Sequence, residues 1–285
     1  MMTELEFDFL RNFLKARSGL ALTAEKRYLA ESRLAPVCRR FELSCLAELV
    51  GCLRGGRDAD LEKAVVEAMT TNETFFFRDK APFDLFRNVL LPKYLGLRAS
   101  ARRLRIWCAA ASTGQEPYSL AMILSEAAAQ LIGWQVDIVA TDISTEVLEK
   151  ARAGLYSQFE VQRGLPIQLL LKYFTQAGDQ WQIAPSIRSM VQYKPLNLIK
   201  DFSGLGQFDI IYCRNVLIYF DAATKADVLK RLSNVMAQDG TLLLGAAETV
   251  IGLTEALQPH PDHRGLYVKG RVQDAAPPLR MVASR

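Results

Sequence analysis

Residues 105–120, RIWCAAASTGQEPYSL, limit the fold more than any other stretch of the 285-residue chain. Ile106, Trp107, Cys108 and Ala109 make a short apolar run of strand character, which Ser112-Thr113-Gly114 interrupts. From Glu116-Pro117 the pattern turns helical, Tyr118 to Leu124, and proline suits a first helical position because its missing N–H costs little there. A strand that turns through small residues into a helix is where an open α/β sheet offers backbone N–H groups to a ligand. An ordinary βα connection has the same pattern, so the rest of the chain must discriminate.

What precedes it has no strand alternation. Phe7, Leu10, Phe13 and Leu14 keep helical spacing up to Gly19, and Thr23 is a candidate N-cap for a second helix that reaches Pro36 or beyond with a kink. Leu46–Leu53 and Asp60–Met69 complete an all-helical domain over residues 1–71. Within it Lys26, Arg33 and Arg40 recur every seven residues, with Arg27 and Arg39 beside them, so a continuous helix gathers a basic stripe. A solvated face explains such a stripe; a docking surface for an acidic helix also would. Residues 72–98 read as a linker with a linking helix, Phe83–Leu97. Its start, Asn72-Glu73-Thr74-Phe75-Phe76-Phe77-Arg78-Asp79, fits neither helix nor strand. Three adjacent phenylalanines among polar residues suggest a segment wedged between two bodies.

From Leu104 strands and helices alternate, which calls for a parallel sheet covered on both faces. Strands are expected at Leu104–Ala109, Val136–Thr141, Phe208–Cys213, Thr241–Gly245 and Gly265–Lys269, with helices at Pro117–Leu131, Thr145–Ala153, Pro166–Phe174 and Thr224–Ala237. Trp181–Ala184 and Arg188–Tyr193 read as a small antiparallel insertion near 175–193; Val191–Leu196 is a further sheet candidate. This domain spans 99–270, and 271–285 reads as a flexible tail.

Composition removes several classes. Half the residues are hydrophobic, so the chain is globular, and a net charge of +4 falls short of a dedicated nucleic-acid binder. The five cysteines include no CxxC pair, and the only histidines, His260 and His263, sit among prolines, so no metal site is expected. Glu4, Glu6 and Asp8 stand where a signal peptide needs positive charge, and no apolar run is long enough to span a bilayer. A soluble, cytoplasmic protein is expected.

Asp142 closes the second strand about one βαβ length after the opening turn, the place from which an acidic side chain takes ribose hydroxyls. It could instead sit beside a helix cap without a ligand. Gly114 is the only glycine of the turn, which argues against a pyrophosphate and leaves a nucleoside such as S-adenosylmethionine (AdoMet).

Four motifs then make the chain recognisable: residues 72–79, Ala109 to Ser119, Ala140-Thr141-Asp142-Ile143-Ser144, and Phe208 to Phe220 (FDIIYCRNVLIYF). In this order they resemble the CheR-type chemotaxis receptor methyltransferases, which transfer the AdoMet methyl group to glutamates on the cytoplasmic helices of chemoreceptors. The resemblance implies a helical domain linked to a Rossmann-like AdoMet-dependent methyltransferase sheet with a small antiparallel β subdomain. It implies cofactor contacts from Asn72, Thr74, Arg78, Glu116, Asp142, Asn197, Leu198, Cys213 and Arg214. It also implies Arg78 and Tyr219 at the methyl-transfer centre, and gives Lys26, Arg33 and Arg40 an acidic receptor helix to dock. Gln115 departs from the Glu of many relatives, and Ala111 stands where relatives have Cys or Ala. The short turn at 176–180 implies independence from a receptor C-terminal pentapeptide tether.

A glutamate carboxylate is ionised at neutral pH, so transfer needs positioning rather than a general base. Arg78 can hold either the substrate carboxylate or that of the methionine moiety; its polar, cofactor-facing neighbours favour the latter. A monomer is expected. The competing readings are a nucleic-acid methyltransferase, which Cys213-Arg214-Asn215-Val216 and the modest charge disfavour, and an AdoMet-binding regulatory module without catalysis, which Arg78, Arg214 and Tyr219 disfavour.

Overall fold

A computed structural model describes residues 2–270, so the expected tail at 271–285 lies outside the described residues. Four helices form the first body: α1 (Glu4–Ser18), α2 (Arg27–Arg40), α3 (Leu46–Gly55) and α4 (Ala59–Met69). A capping box between Thr3 and Glu6 starts α1, and Gly19 at φ +78° ends it. Phe7, Leu10 and Leu14 pack with Leu34, Leu49, Leu53, Val65 and Met69 in one apolar core. Helix α2 runs through Pro36, and the Thr23 segment ahead of it is a short 3-10 turn whose threonine side chain makes no cap.

The linker leads into α5 (Ala81–Leu85), a π-helical turn at Phe86–Leu90 and α6 (Leu91–Leu97). Pro92 explains the widened turn: its ring excludes the carbonyl one regular turn back, and the Leu91 N–H instead reaches Phe86 O.

The second body is built on β1 (Arg103–Ala109), followed by α7 (Gln115–Glu126), β2 (Gln135–Asp142) and α8 (Thr145–Ala153). A subdomain comes next: β3 (Leu155–Ser157), α9 (Gln158–Gln162), α10 (Ile167–Tyr173), β4 (Phe174–Ala177), β5 (Gln180–Ile183) and α11 (Pro185–Arg188). Then β6 (Val191–Pro195), β7 (Phe208–Cys213), α12 (Ala222–Asn234), β8 (Met236–Leu244), β9 (Leu257–Pro259) and β10 (Leu266–Lys269) complete the chain. The seven-stranded sheet has the order β6-β2-β1-β7-β8-β10-β9; the first five strands are parallel and β10 is antiparallel to both its neighbours. Alternate residues of β1 serve opposite layers: Ile106 and Cys108 pack beneath α7, Trp107 and Ala109 against the α12 side. Chain order reverses between β1 and β7, so the crevice beyond their C-terminal ends is the expected ligand position.

The antiparallel insertion is real but displaced from 175–193. It comprises β3, β5 and β4, residues 155–183, whereas 185–188 is a helical turn and Val191–Pro195 pairs in register with β2. Pro185 starts that turn, and the pairing of Val191 with the buried Ile138 puts the following strand in the main sheet. Helix α7 begins two residues before Pro117, which therefore occupies a later position of the first turn, where no N–H is needed either. Asp239-Gly240, a dipeptide of turn-forming type, lies inside β8, at a register shift opposite Phe208 and Ile210. Among the described residues no helix is long and apolar enough to cross a membrane.

Candidate active site

Three segments meet above the C-terminal ends of β1, β2 and β7. In the first, the turn after β1, Ala110 and Ser112 take φ of +61° and +51° and Gly114 +93°. An added Cβ on Gly114 would lie 2.6 Å from the Tyr193 hydroxyl, so glycine is required by both dihedral and space. The Ser112 amide donates to Asp142 Oδ2 at 2.8 Å and the Ser144 amide to Oδ1 at 3.0 Å. Asp142 is thus a fixed acceptor whose carboxylate still faces the cleft. Burial raises its pKa, and those two amides oppose the rise.

The second is the linker. Its three phenylalanines point three ways: Phe76 meets Tyr156 and Phe174 edge-on, Phe77 meets Phe83, and Phe75 lies under Arg78 and Arg163. Phe76 approaches Gly164 so closely that a Cβ there would fall 2.1 Å from the Phe76 carbonyl oxygen. The rings therefore anchor the linker to the second body, and the wedge between two bodies expected from the sequence is not what they form. With the rings anchored, Asn72, Thr74 and Arg78 line the cleft; Asn72 O accepts the Ser112 hydroxyl at 2.7 Å, and Arg78 Nη1 donates to Glu73 O at 2.6 Å.

In the third segment, after β7, the guanidinium of Arg214 is almost fully buried. It donates to Glu116 Oε2 at 2.8 Å, Asp79 Oδ2 at 2.6 Å and the Arg78 carbonyl at 3.1 Å. One arginine therefore joins all three segments. Burial pushes the Glu116 carboxyl up and the Arg214 charge pulls it back. Tyr219 lines the opposite wall, its carbonyl accepting the Ala21 amide at 2.8 Å.

The cleft encloses about 940 Å³ with its open mouth included. Of the sequence-derived cofactor residues, Asn72, Thr74, Arg78, Glu116, Asp142, Asn197, Leu198 and Arg214 line it. Cys213 does not. Strand alternation turns its side chain into the Trp107 layer, where burial holds the thiol well above its ordinary pKa. The Asn197 side chain is partly committed elsewhere, donating to Arg17 O at 2.6 Å and accepting from the Ile199 amide.

The helical body supplies part of the wall, which no sequence pattern announced. Ser18 and Leu20 line the cleft, Leu20 bridges to Phe220, and Lys15 pairs with Asp221 at 2.6 Å. Glu67 accepts the amide and hydroxyl of Thr145 at 2.6 and 3.0 Å. The basic stripe divides. Lys26 and Arg40 are exposed, whereas Arg33 donates to the carbonyls of Met69 and Thr70 and to the Thr71 hydroxyl, fixing the start of the linker.

These groups fit a nucleoside carrying an amino acid: a carboxylate to accept from a ribose diol, Ile143, Leu198 and Val216 for a flat base, and a cationic Arg78 to donate to a carboxylate. Comparison with known proteins agrees. The domain described as CheR methyltransferase, all-alpha domain, matches residues 5–70, and CheR methyltransferase, SAM binding domain, matches residues 72–265. Chemotaxis protein methyltransferase 1 of Vibrio cholerae is 42% identical over 265 residues, 92% of this chain and 95% of that one. Chemotaxis protein methyltransferase 1 of Pseudomonas aeruginosa is 41% identical over 262 residues, 90% and 92% of the two chains. The Escherichia coli chemotaxis protein methyltransferase is 34% identical over 253 residues, 87% and 85%. With both family domains matched in order and the cleft between them built for AdoMet, the chain belongs to the CheR methyltransferase family.

Proposed function

We propose that this chain is a protein-glutamate O-methyltransferase that acts on the cytoplasmic helices of chemoreceptors. The observation that carries the reading is the convergence of Arg78 and Tyr219 on the cleft that holds Asp142. When bound, AdoMet supplies a methyl group on a positive sulfur. The chain's own residues orient and shield: Asp142 takes the ribose, Arg78 the methionine carboxylate, and Tyr219 hydrogen-bonds the incoming glutamate without removing its charge. Among the described residues no histidine lines the cleft, which suits a nucleophile that arrives ionised. Lys26 and Arg40 offer an acidic receptor helix a cationic face, and Arg33 contributes mainly by holding the linker.

The turn between β4 and β5 is Gly178-Asp179, too short in this reading to serve a receptor pentapeptide. The protein works as a cytoplasmic monomer. Incubation with labelled AdoMet and a receptor cytoplasmic fragment, followed by base-catalysed release of labelled methanol, tests the assignment. A base-stable product, methylation of nucleic acid, or binding without transfer would each overturn it. Arg78→Ala should weaken AdoMet binding. Intact affinity with lost transfer would move Arg78 to the substrate carboxylate.

A further inference from the structure

Glu248 is buried, lies outside the cleft lining and belongs to none of the motifs above. Its carboxylate accepts four backbone N–H groups: Gly245 at 2.7 Å, Asn215 at 2.8 Å, Val216 at 3.0 Å and Ile218 at 3.3 Å. Three of these belong to the segment that runs from Arg214 to Tyr219. Among the described residues no Lys or Arg lies within ion-pair distance of it, and the hydrogen bonds its carboxylate accepts all come from backbone amides. Gly245 is shaped to this contact: a Cβ there would fall 2.7 Å from Glu248 Oε2 and 2.9 Å from the Asn215 nitrogen. Asn215 at φ +59° bends the segment so that its amides point back at the carboxylate while Asn215, Val216 and Tyr219 face the cleft.

We propose that Glu248 is a positioning residue for methyl transfer: it locks segment 214–219 in the single conformation that presents Tyr219 to the cleft. The proposal rests on the role given to Tyr219 above. A glutamine cannot replace the carboxylate, because its NH₂ group would face N–H donors.

The test is Glu248→Gln in the full chain, with Glu248→Asp as a milder companion that keeps the charge and shortens the reach. By hydrogen exchange read with mass spectrometry, Glu248→Gln should accelerate the amides of 215–218 by about tenfold or more, with α1–α4 unchanged. With a receptor fragment, kcat should fall about 100-fold while affinity for the product S-adenosylhomocysteine (AdoHcy), by calorimetry, stays within about fivefold, since a small misplacement of a reacting group costs that much in rate. In a Tyr219→Phe background the same substitution should cost less than about fivefold, because the two act through one group. Unchanged exchange, a kcat within threefold of wild type (roughly, the noise of such assays), or an equal loss of AdoHcy affinity would overturn the proposal. If Glu248→Gln does not fold, Glu248→Asp carries the same readouts at smaller amplitude. A wild-type chain inactive on the fragment would overturn the functional reading instead, and exchange would still decide whether Glu248 organises the segment.

Discussion

Two strand ends build this site, and each is held by a carboxylate from a neighbouring strand or the loop after it. The turn after β1 hangs on Asp142, at the end of β2; the segment after β7 hangs on Glu248, four residues beyond β8. Both contain non-glycine residues at positive φ, Ala110 and Ser112 in the first and Asn215 in the second, which such support makes tolerable. The carboxylates differ in what remains free. Asp142 takes close hydrogen bonds from two amides and still faces the cleft, whereas Glu248 takes four and lies behind it. A carboxylate offers roughly four acceptor positions, so the first can also bind a ligand and the second is saturated. On the proposed function one carboxylate both shapes and binds, and the other only shapes.

Arg214 is the tie between the two regions, so removing it should have the largest effect. Arg214→Met leaves Glu116 buried without a cation, a change that costs about 3–5 kcal/mol in comparable buried pairs. Urea unfolding should show this as a lower midpoint with an unchanged slope. A loss below about 1 kcal/mol would mean that the two segments are independent, because only an exposed pair is worth so little. Gly114→Ala attacks the first region alone. It forces alanine to φ +93° and sets its Cβ against the Tyr193 hydroxyl, so about 2–4 kcal/mol should be lost. AdoHcy binding should weaken with it, while hydrogen exchange in 214–219 should not change.

The first region was legible in the residues themselves; the second was reached only by resemblance, and its support by Glu248 was not legible at all. Small residues between an apolar strand and a helix announce a turn, and an acid one βαβ unit later announces its partner. Both signals are local. Glu248 stands 33 positions from Asn215 (248 minus 215), in a loop without periodicity, and its role exists only because β7 and β8 are neighbours. Contacts between bodies were hidden for the same reason. Nothing near Arg33 reveals that it grips Met69 and Thr70, and nothing near Ala21 reveals the Tyr219 carbonyl. The displaced subdomain shows the limit for short strands: β3 and β4, at three and four residues, carry too little pattern, and while a two-residue hairpin joins β4 to β5, β3 is defined only by pairing with β5 across two intervening helices.

Asp142→Asn sharpens the contrast between the carboxylates. The amide nitrogen must face either the Ser112 or the Ser144 N–H, and a ligand diol loses a charged acceptor. AdoHcy affinity should fall about 10- to 100-fold, the loss of one charge-assisted contact, measured by calorimetry. Glu248→Gln should fall well short of that. Equal losses would erase the distinction between a binding and a shaping carboxylate.

The smallest effect lies where the helical body clasps the second region. Lys15 and the amide of Thr224 at the N-cap of α12 hold Asp221 down at about 2, from an ordinary 3.8. Because the folded state binds this proton less readily, the contribution is complete above about pH 4 and is lost as the pH falls toward 2. With the carboxylate about a third exposed, solvent screening reduces the gain to about 1 kcal/mol or less. Asp221→Asn keeps a competent helix cap and removes only the charge. Wild type and variant should therefore differ in urea stability at pH 5 and converge near pH 2. A difference that persists at pH 2 would show that the cap geometry, rather than the Lys15 charge, joins the helical body to the segment that carries Tyr219.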